Sequence, residues 1–255
     1  MRKFSFIVAV LLGSSSSELL AQAQDAPGNV TAELSTERQR LSNGGPDWKE
    51  SIVKLYRTQG TRQRAELSWT QSDRFDLRDE QLGGAYVRPL SDDLTVSLEA
   101  TFSSTHQFLP RHSEGALLQY EFSPAWLIHA GWRGRQYTDT TIQQETLMLE
   151  HYIASFSWAL AWRPVQALGS QSSSTELRAG YYYGDKNSLS LSISAGQEAT
   201  QTSSSTIQMM DVQSMALSGR HQLNRAWALS FVASSTSQGT FYIRNGLLIG
   251  VQYLF

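Results

Sequence analysis

The sequence predicts an all-β fold: a transmembrane antiparallel β-barrel of about fourteen strands, or twelve if the weakest pairs near the N-terminus merge, behind a cleaved signal peptide. Three observations predict it. The N-terminus has the layout of an export signal, apolar and polar side chains alternate with a two-residue period through the rest of the chain, and the last strand ends on an aromatic residue.

Arg2 and Lys3 precede the apolar run Phe4–Leu12, and a polar stretch then leads to Ala21-Gln22-Ala23, a small-x-small site for cleavage before Gln24. The run is far shorter than the ~20 residues a helix needs to cross a bilayer. It therefore reads as a signal peptide over residues 1–23, leaving one barrel domain over 24–255. The chain has no cysteine, which excludes a lipid anchor at the cut site and leaves an exported fold without disulfides. Cleavage removes two of 21 basic residues (Arg2, Lys3) and one of 23 acidic ones (Glu18), so 19 face 22 and the mature formal charge is −3. That balance argues against a nucleic-acid partner. No Pro-rich or Gly/Ser linker divides the mature part.

Strands are expected near Val30–Leu41, Trp48–Thr58, Arg62–Gln71 and Glu80–Arg88. Leu94–Ser103 follows, with Leu94, Val96, Leu98, Ala100 and Phe102 alternating against Thr95, Ser97, Glu99, Thr101 and Ser103. Next come Glu114–Phe122, Trp126–Tyr137, Thr141–Tyr152 and Phe156–Arg163, the last setting Phe156, Trp158, Leu160 and Trp162 on one face. Glu176–Tyr183 and Ser188–Gly196 repeat the pattern, as do Met209–His221, Ala226–Ser235 and Ile243–Phe255. No long segment has helical periodicity.

Punctuation separates a membrane barrel from a soluble sandwich. Ser91-Asp92-Asp93, Ser123-Pro124-Ala125, Gly184–Asn187 and Leu223-Asn224-Arg225 read as tight turns. Between them, Thr105–Ser113, Thr138–Thr140, Pro164–Thr175, Glu198–Gln208 and Thr236–Asn245 read as longer polar loops, with Ser170–Thr175 and Gln201–Thr206 mobile. Short periplasmic turns and longer outside loops predict this rhythm. All six prolines read as lying at segment ends or connections, and the seven tryptophans as an interfacial girdle on the apolar face.

In the last strand Leu247, Ile249, Val251, Tyr253 and Phe255 share one face. The segment resembles the assembly signal of bacterial outer-membrane barrels, with Gly250, Tyr253 and Phe255 matching and Leu248 standing where a polar residue is usual. The segment Gly131-Trp132-Arg133-Gly134-Arg135-Gln136-Tyr137-Thr138-Asp139, followed by Glu150-His151-Tyr152, resembles the YaiO family of outer-membrane β-barrels, from about Arg62 to the final Leu254-Phe255. The resemblance implies a single barrel in the outer membrane of a Gram-negative cell and brings no catalytic residues.

With Leu98, Trp126, Trp132 and Leu149 facing lipid, Glu99, Glu121, His129, Arg133, Arg135 and Glu150 are expected to line the lumen. Opposed carboxylates and guanidiniums there form either a structural network or a pore eyelet with a transverse field. A hydrolase needs a Ser/His/acid set. His112-Ser113-Glu114 supplies the types, but adjacent positions on a strand point in alternating directions. Ser42-Asn43-Gly44 lacks the partner histidine and reads as a turn. The five histidines show no ligand-pair spacing, so no metal and no cofactor are expected.

The expected protein is not an enzyme but a monomeric channel for passive or gated passage of small polar or saccharide-like solutes. A scaffold in envelope assembly or surface polysaccharide handling and a lipid-modifying hydrolase are the alternatives. Expected partners are outer-membrane lipids and lipopolysaccharide, with the barrel-assembly machinery and periplasmic chaperones during biogenesis.

Overall fold

The computed structural model describes residues 29–60, 62–201 and 203–255; the signal-peptide segment and Pro27 lie outside them. Fourteen strands follow in chain order: β1 (Val30–Leu41), β2 (Trp48–Gln59), β3 (Gln63–Arg74), β4 (Leu77–Pro89), β5 (Leu94–Ser103), β6 (His112–Ser123), β7 (Trp126–Gln136), β8 (Thr141–Ile153), β9 (Phe156–Ala167), β10 (Ser170–Tyr183), β11 (Asn187–Gln201), β12 (Ile207–Gln222), β13 (Trp227–Gln238) and β14 (Tyr242–Leu254). Each pairs antiparallel with the next. β14 pairs with β1 from Leu254 opposite Thr31 to Arg244 opposite Leu41, which closes the sheet and removes its edges. The count is fourteen, and the twelve-strand alternative falls away.

Closure follows from alternation. Leu34, Leu67, Leu82, Phe102, Phe156 and Ile249 point outward and are each more than half exposed. In water this many exposed apolar side chains would forfeit about 25 cal/mol for each Å² of apolar surface left unburied. Against hydrocarbon they cost nothing, provided every backbone group finds its partner within the closed ladder. The intervening positions point inward and are mostly polar. Thr31, Glu33, Ser35, Glu37 and Gln39 are all buried on the inner face of β1.

The strands also explain where the turns and loops differ from expectation. A strand of 12 residues, such as β1, rises about 3.3 Å per residue. Tilted about 40°, it covers roughly 30 Å of barrel height, more than the ~25 Å apolar band of such barrels. The surplus projects at the far end, opposite the two termini, where Arg38, Lys49, Arg78 and Asp211 point outward. There β9 runs on to Ala167 and β10 starts at Ser170, so Pro164–Thr175 is paired strand around the two-residue turn Leu168-Gly169, not a loop. β11, β12, β13 and β14 extend likewise, leaving connections of only 202–206 and 239–241. These segments are serine- and glutamine-rich outside a small apolar cluster in which Ile142, Val165 and Ala167 pack with Ala199, Ile207 and Met209, and the backbone ladder holds them.

Pro164 is the proline that departs from the expected rule. It lies inside β9 opposite Ser173 of β10. On its other side the β8–β9 ladder lapses between the pairs Gln144–Val165 and Leu147–Trp162, with the register unchanged across the gap. A proline has no N–H to give that neighbour. Six tryptophans face outward, but Trp48 does not: it opens β2 on the inner face and is buried.

Candidate functional site

The inner wall and the far-end mouth differ in how their polar groups are used. On the wall, Glu99, Gly115 and Arg133 stand directly opposite one another on β5, β6 and β7. Arg133 Nε donates to Glu99 Oε1 at 2.6 Å across the intervening strand. The crossing needs the glycine, because a Cβ at Gly115 would lie 2.5 Å from Glu99 Oε1. Arg135 donates to Gln144 Oε1 at 3.0 Å. His129 Nε2 lies 3.0 Å from Glu150 Oε2, and the Tyr152 hydroxyl donates to Glu150 Oε1 at 2.9 Å. Further round, Glu176 accepts from Arg163 at 3.2 Å and from Arg178 at 2.9 Å.

All six residues expected in the lumen are on the inward side, but they separate into local groups. Glu99 answers Arg133 two strands away on the same wall, and His129 answers Glu150 on the adjacent strand. Glu121 caps the terminal-end turn by accepting the Ala125 N–H at 3.0 Å. This arrangement satisfies buried charge within the wall by local pairs. Ser113 is inward, 2.7 Å from Thr101 Oγ1, while His112 and Glu114 are outward, so the three form no relay. Among the described residues no group of three His, Asp or Glu could hold a metal ion.

At the far end the 104–111 connection folds onto the mouth. Asp79 of β4, fully buried, accepts the N–H groups of Gln107, Phe108 and Leu109 at 2.8 to 2.9 Å. The pinned loop buries Phe108 in a file of rings. Phe108 meets Phe75 at 6.3 Å, Phe75 meets Trp48 at 5.2 Å, and Trp48 meets Tyr242 at 6.1 Å, all edge-on. Phe75 holds a left-handed backbone, φ 55°, in the β3–β4 turn, a conformation a bulky side chain adopts only where its surroundings fix it. The guanidiniums of Arg74 and Arg244 lie over the Trp48 indole at 4.8 and 5.0 Å, and Arg74 also pairs with Glu50 at 3.2 Å.

Here polar atoms go unanswered. Trp48 Nε1, Glu37 Oε2, Gln238 Oε1 and the Tyr242 hydroxyl are buried without a hydrogen-bond partner. Each such group costs about 1–3 kcal/mol when left alone. Sequence reasoning missed this cluster because it joins both ends of the chain. The signal available was local: Trp48 and Tyr242 are large aromatic residues at inward positions of strands whose neighbouring inward positions include Glu50 and Arg244.

In the terminal strand, Tyr253 and Phe255 lie outward of the ladder, edge to face at 4.9 Å. Gly250 faces inward, where a Cβ would collide with Ser230 Oγ and come within 3.1 Å of Glu33 Oε1. Leu248 is inward too, packed with Ile52 and Val232, so the apolar residue at a usually polar position fills an internal cluster.

A family model described as the YaiO membrane β-barrel domain matches residues 29–201, starting ahead of Arg62 and stopping before the last three strands. No curated protein matches the chain. Among solved structures, the CymD monoaromatic hydrocarbon channel aligns with TM-score 0.60 at 10% identity, covering 91% of this chain and 89% of that one. The KdgM porin aligns with TM-score 0.50 at 10% identity over 88% and 99%. A loop-deletion mutant of OmpT, an outer membrane protein of Vibrio cholerae, does so with TM-score 0.50 at 10% identity over 89% and 99%. At such identities the likeness is one of fold. It places this closed barrel among outer-membrane proteins.

Proposed function

The chain belongs to the YaiO family of membrane β-barrels, and we propose that this integral outer-membrane barrel is a channel for passive or gated passage of small polar or saccharide-like solutes. The observation that carries the reading is the division of labour on the inner face. Charges are mostly paired along the wall, and much of the half-buried inward surface between them carries hydroxyls: Ser68, Thr70, Ser97 and Thr101 on one side, Ser192, Ser194, Ser214 and Ser234 on the other. Such a surface exchanges hydrogen bonds with hydrated solutes and selects little by charge. CymD is a monoaromatic hydrocarbon channel, but hydroxyl rows fit hydrated solutes better. Phe108 and its loop would narrow the outer mouth.

A closed scaffold is the second reading, favoured by the tightly buried inner faces of β1, β8 and β9, where Glu33, Met148, Ala159 and Ala161 are 1–3% exposed. Proteoliposome swelling decides between them. Small neutral sugars should swell vesicles carrying the folded barrel; no swelling and no single-channel steps from natively folded protein would return the scaffold. The outward Tyr253 and Phe255 support reading the last strand as the address recognised during barrel assembly. Phe255→Ser should reduce the outer-membrane level while leaving export to the periplasm intact, and an unchanged outer-membrane level would refute that role.

A further inference from the structure

We propose that the arc of the outer mouth formed by β13, β14, β1 and β2 is a binding subsite for an uncharged polyhydroxylated ring, such as a pyranoside. As the first station of a passage it rests on the channel reading, and the two are measured separately below.

The groups of the mouth sit on consecutive strands: Gln238 faces Tyr242 across β13–β14, Arg244 faces Leu41 across β14–β1, and Trp48 of β2 faces Gln39, whose amide donates to Glu37 Oε1 at 2.6 Å. Glu37, Trp48, Gln238 and Tyr242 are each 3–7% exposed, yet each holds an uncommitted polar atom. Arg244 makes no hydrogen bond or ion pair among the described residues; its guanidinium rests on the indole of Trp48 and faces the charges of Glu37, Arg74 and Glu198.

The chemistry of these atoms selects the ligand. Trp48 Nε1 and Arg244 only donate, Glu37 Oε2 and Gln238 Oε1 only accept, and the Tyr242 hydroxyl does either. A metal cation would use the acceptors and oppose the guanidiniums; an inorganic anion would do the reverse. An apolar molecule would leave them all unanswered. Hydroxyl groups on a ring both donate and accept, and adjacent ones match a planar carboxylate or guanidinium. Charge does not single out one sign: Arg74 is paired with Glu50, and Arg244 lies near Glu37 and Glu198 as well as near Arg74, so the arc presents both signs. Gly246 leaves room for the groups to reach inward, since a Cβ there would lie 3.2 Å from Glu37 Oε1 and 3.3 Å from Gln39 Cγ.

The test is a titration of the full, folded barrel in detergent with methyl α-D-glucopyranoside, followed by calorimetry and tryptophan fluorescence, with D-glucuronate and sodium sulfate in parallel. The neutral glycoside should bind. Tyr242→Phe and Glu37→Gln, each checked for the heat-modifiable gel mobility of a folded barrel, should weaken it at least fivefold, while Glu121→Gln should not. Absence of glycoside binding, which would mean water alone fills the cluster, overturns the proposal. So does tighter binding of sulfate or glucuronate, or equal affinity in all variants. Vesicle swelling is read independently: swelling without glycoside binding removes the subsite and keeps the channel, whereas binding without swelling keeps the subsite and removes the channel.

Discussion

The wall of β5 to β8 and the mouth of β13 to β3 are built from the same residue types and treat them oppositely. On the wall a carboxylate and a guanidinium reach across Gly115 to meet, and Glu150 accepts from both His129 and Tyr152. One wall atom, His129 Nδ1, stays without a partner. In the mouth Gln39 Nε2 donates to Glu37 Oε1 at 2.6 Å and Arg74 pairs with Glu50, but Glu37 Oε2, Gln238 Oε1, the Trp48 indole N–H and the Tyr242 hydroxyl lie close together and do not answer one another. Polar groups that satisfy each other hold a barrel wall in shape. Polar groups held rigid and unsatisfied are available to something else.

Three substitutions would break or sharpen that contrast. The largest effect is expected at the wall. Arg133→Ala leaves Glu99 without its partner and should cost about 3 kcal/mol of barrel stability, somewhat under the figure for a fully enclosed pair because Glu99 keeps some contact with lumen water. Urea unfolding of the barrel in lipid vesicles measures it. The double replacement Glu99→Leu with Arg133→Leu should return to within about 1 kcal/mol of the parent. If the double variant is no more stable than Arg133→Ala, the pair is not a closed structural unit.

The next effect belongs to the mouth. Asp79→Ala removes the acceptor of three N–H groups and should release the 104–111 loop, a local loss of about 2 kcal/mol. Trypsin should then cut after Arg111 faster and single-channel conductance should rise, with little change in global unfolding. Unchanged cleavage and conductance would mean that the ring file, not the carboxylate, keeps Phe108 in place. The smallest effect is expected at Pro164→Ala, which gives β9 an N–H where its ladder to β8 lapses. It should alter stability by no more than ~0.5 kcal/mol, in the stabilising direction. A clear destabilisation would show that the proline itself shapes the projecting end.

Legibility in the sequence followed the medium around each segment. Within the apolar band, alternation is forced by hydrocarbon on one side and polar groups on the other, so strands such as Leu94–Ser103 carry identical bounds in sequence and structure. Above the band both faces meet water, and Ser170–Thr175 bears no pattern although it is as fully paired as the rest of β10. Trp48 shows a second limit. A tryptophan at a strand end fits a membrane girdle or an inner ring file equally well, and which face it takes depends on a register shifted by one residue. Alternation in the sequence bears on the face of residues such as Glu99 and Arg133 but not on their pairing, which required Gly115 to lie between them.

By itself, the order of residues determined the all-β barrel and, within the apolar band, the face on which most side chains stand, because a two-residue period at a lipid boundary permits few other solutions. Only the closed tertiary structure decided which inward groups meet. Closure brings Tyr242 and Arg244 beside Glu37 and Trp48, some two hundred residues away in the chain. Hydrogen bonding is short-ranged and directional, so whether a buried polar group is answered depends on the strands beside it, and no local pattern records that.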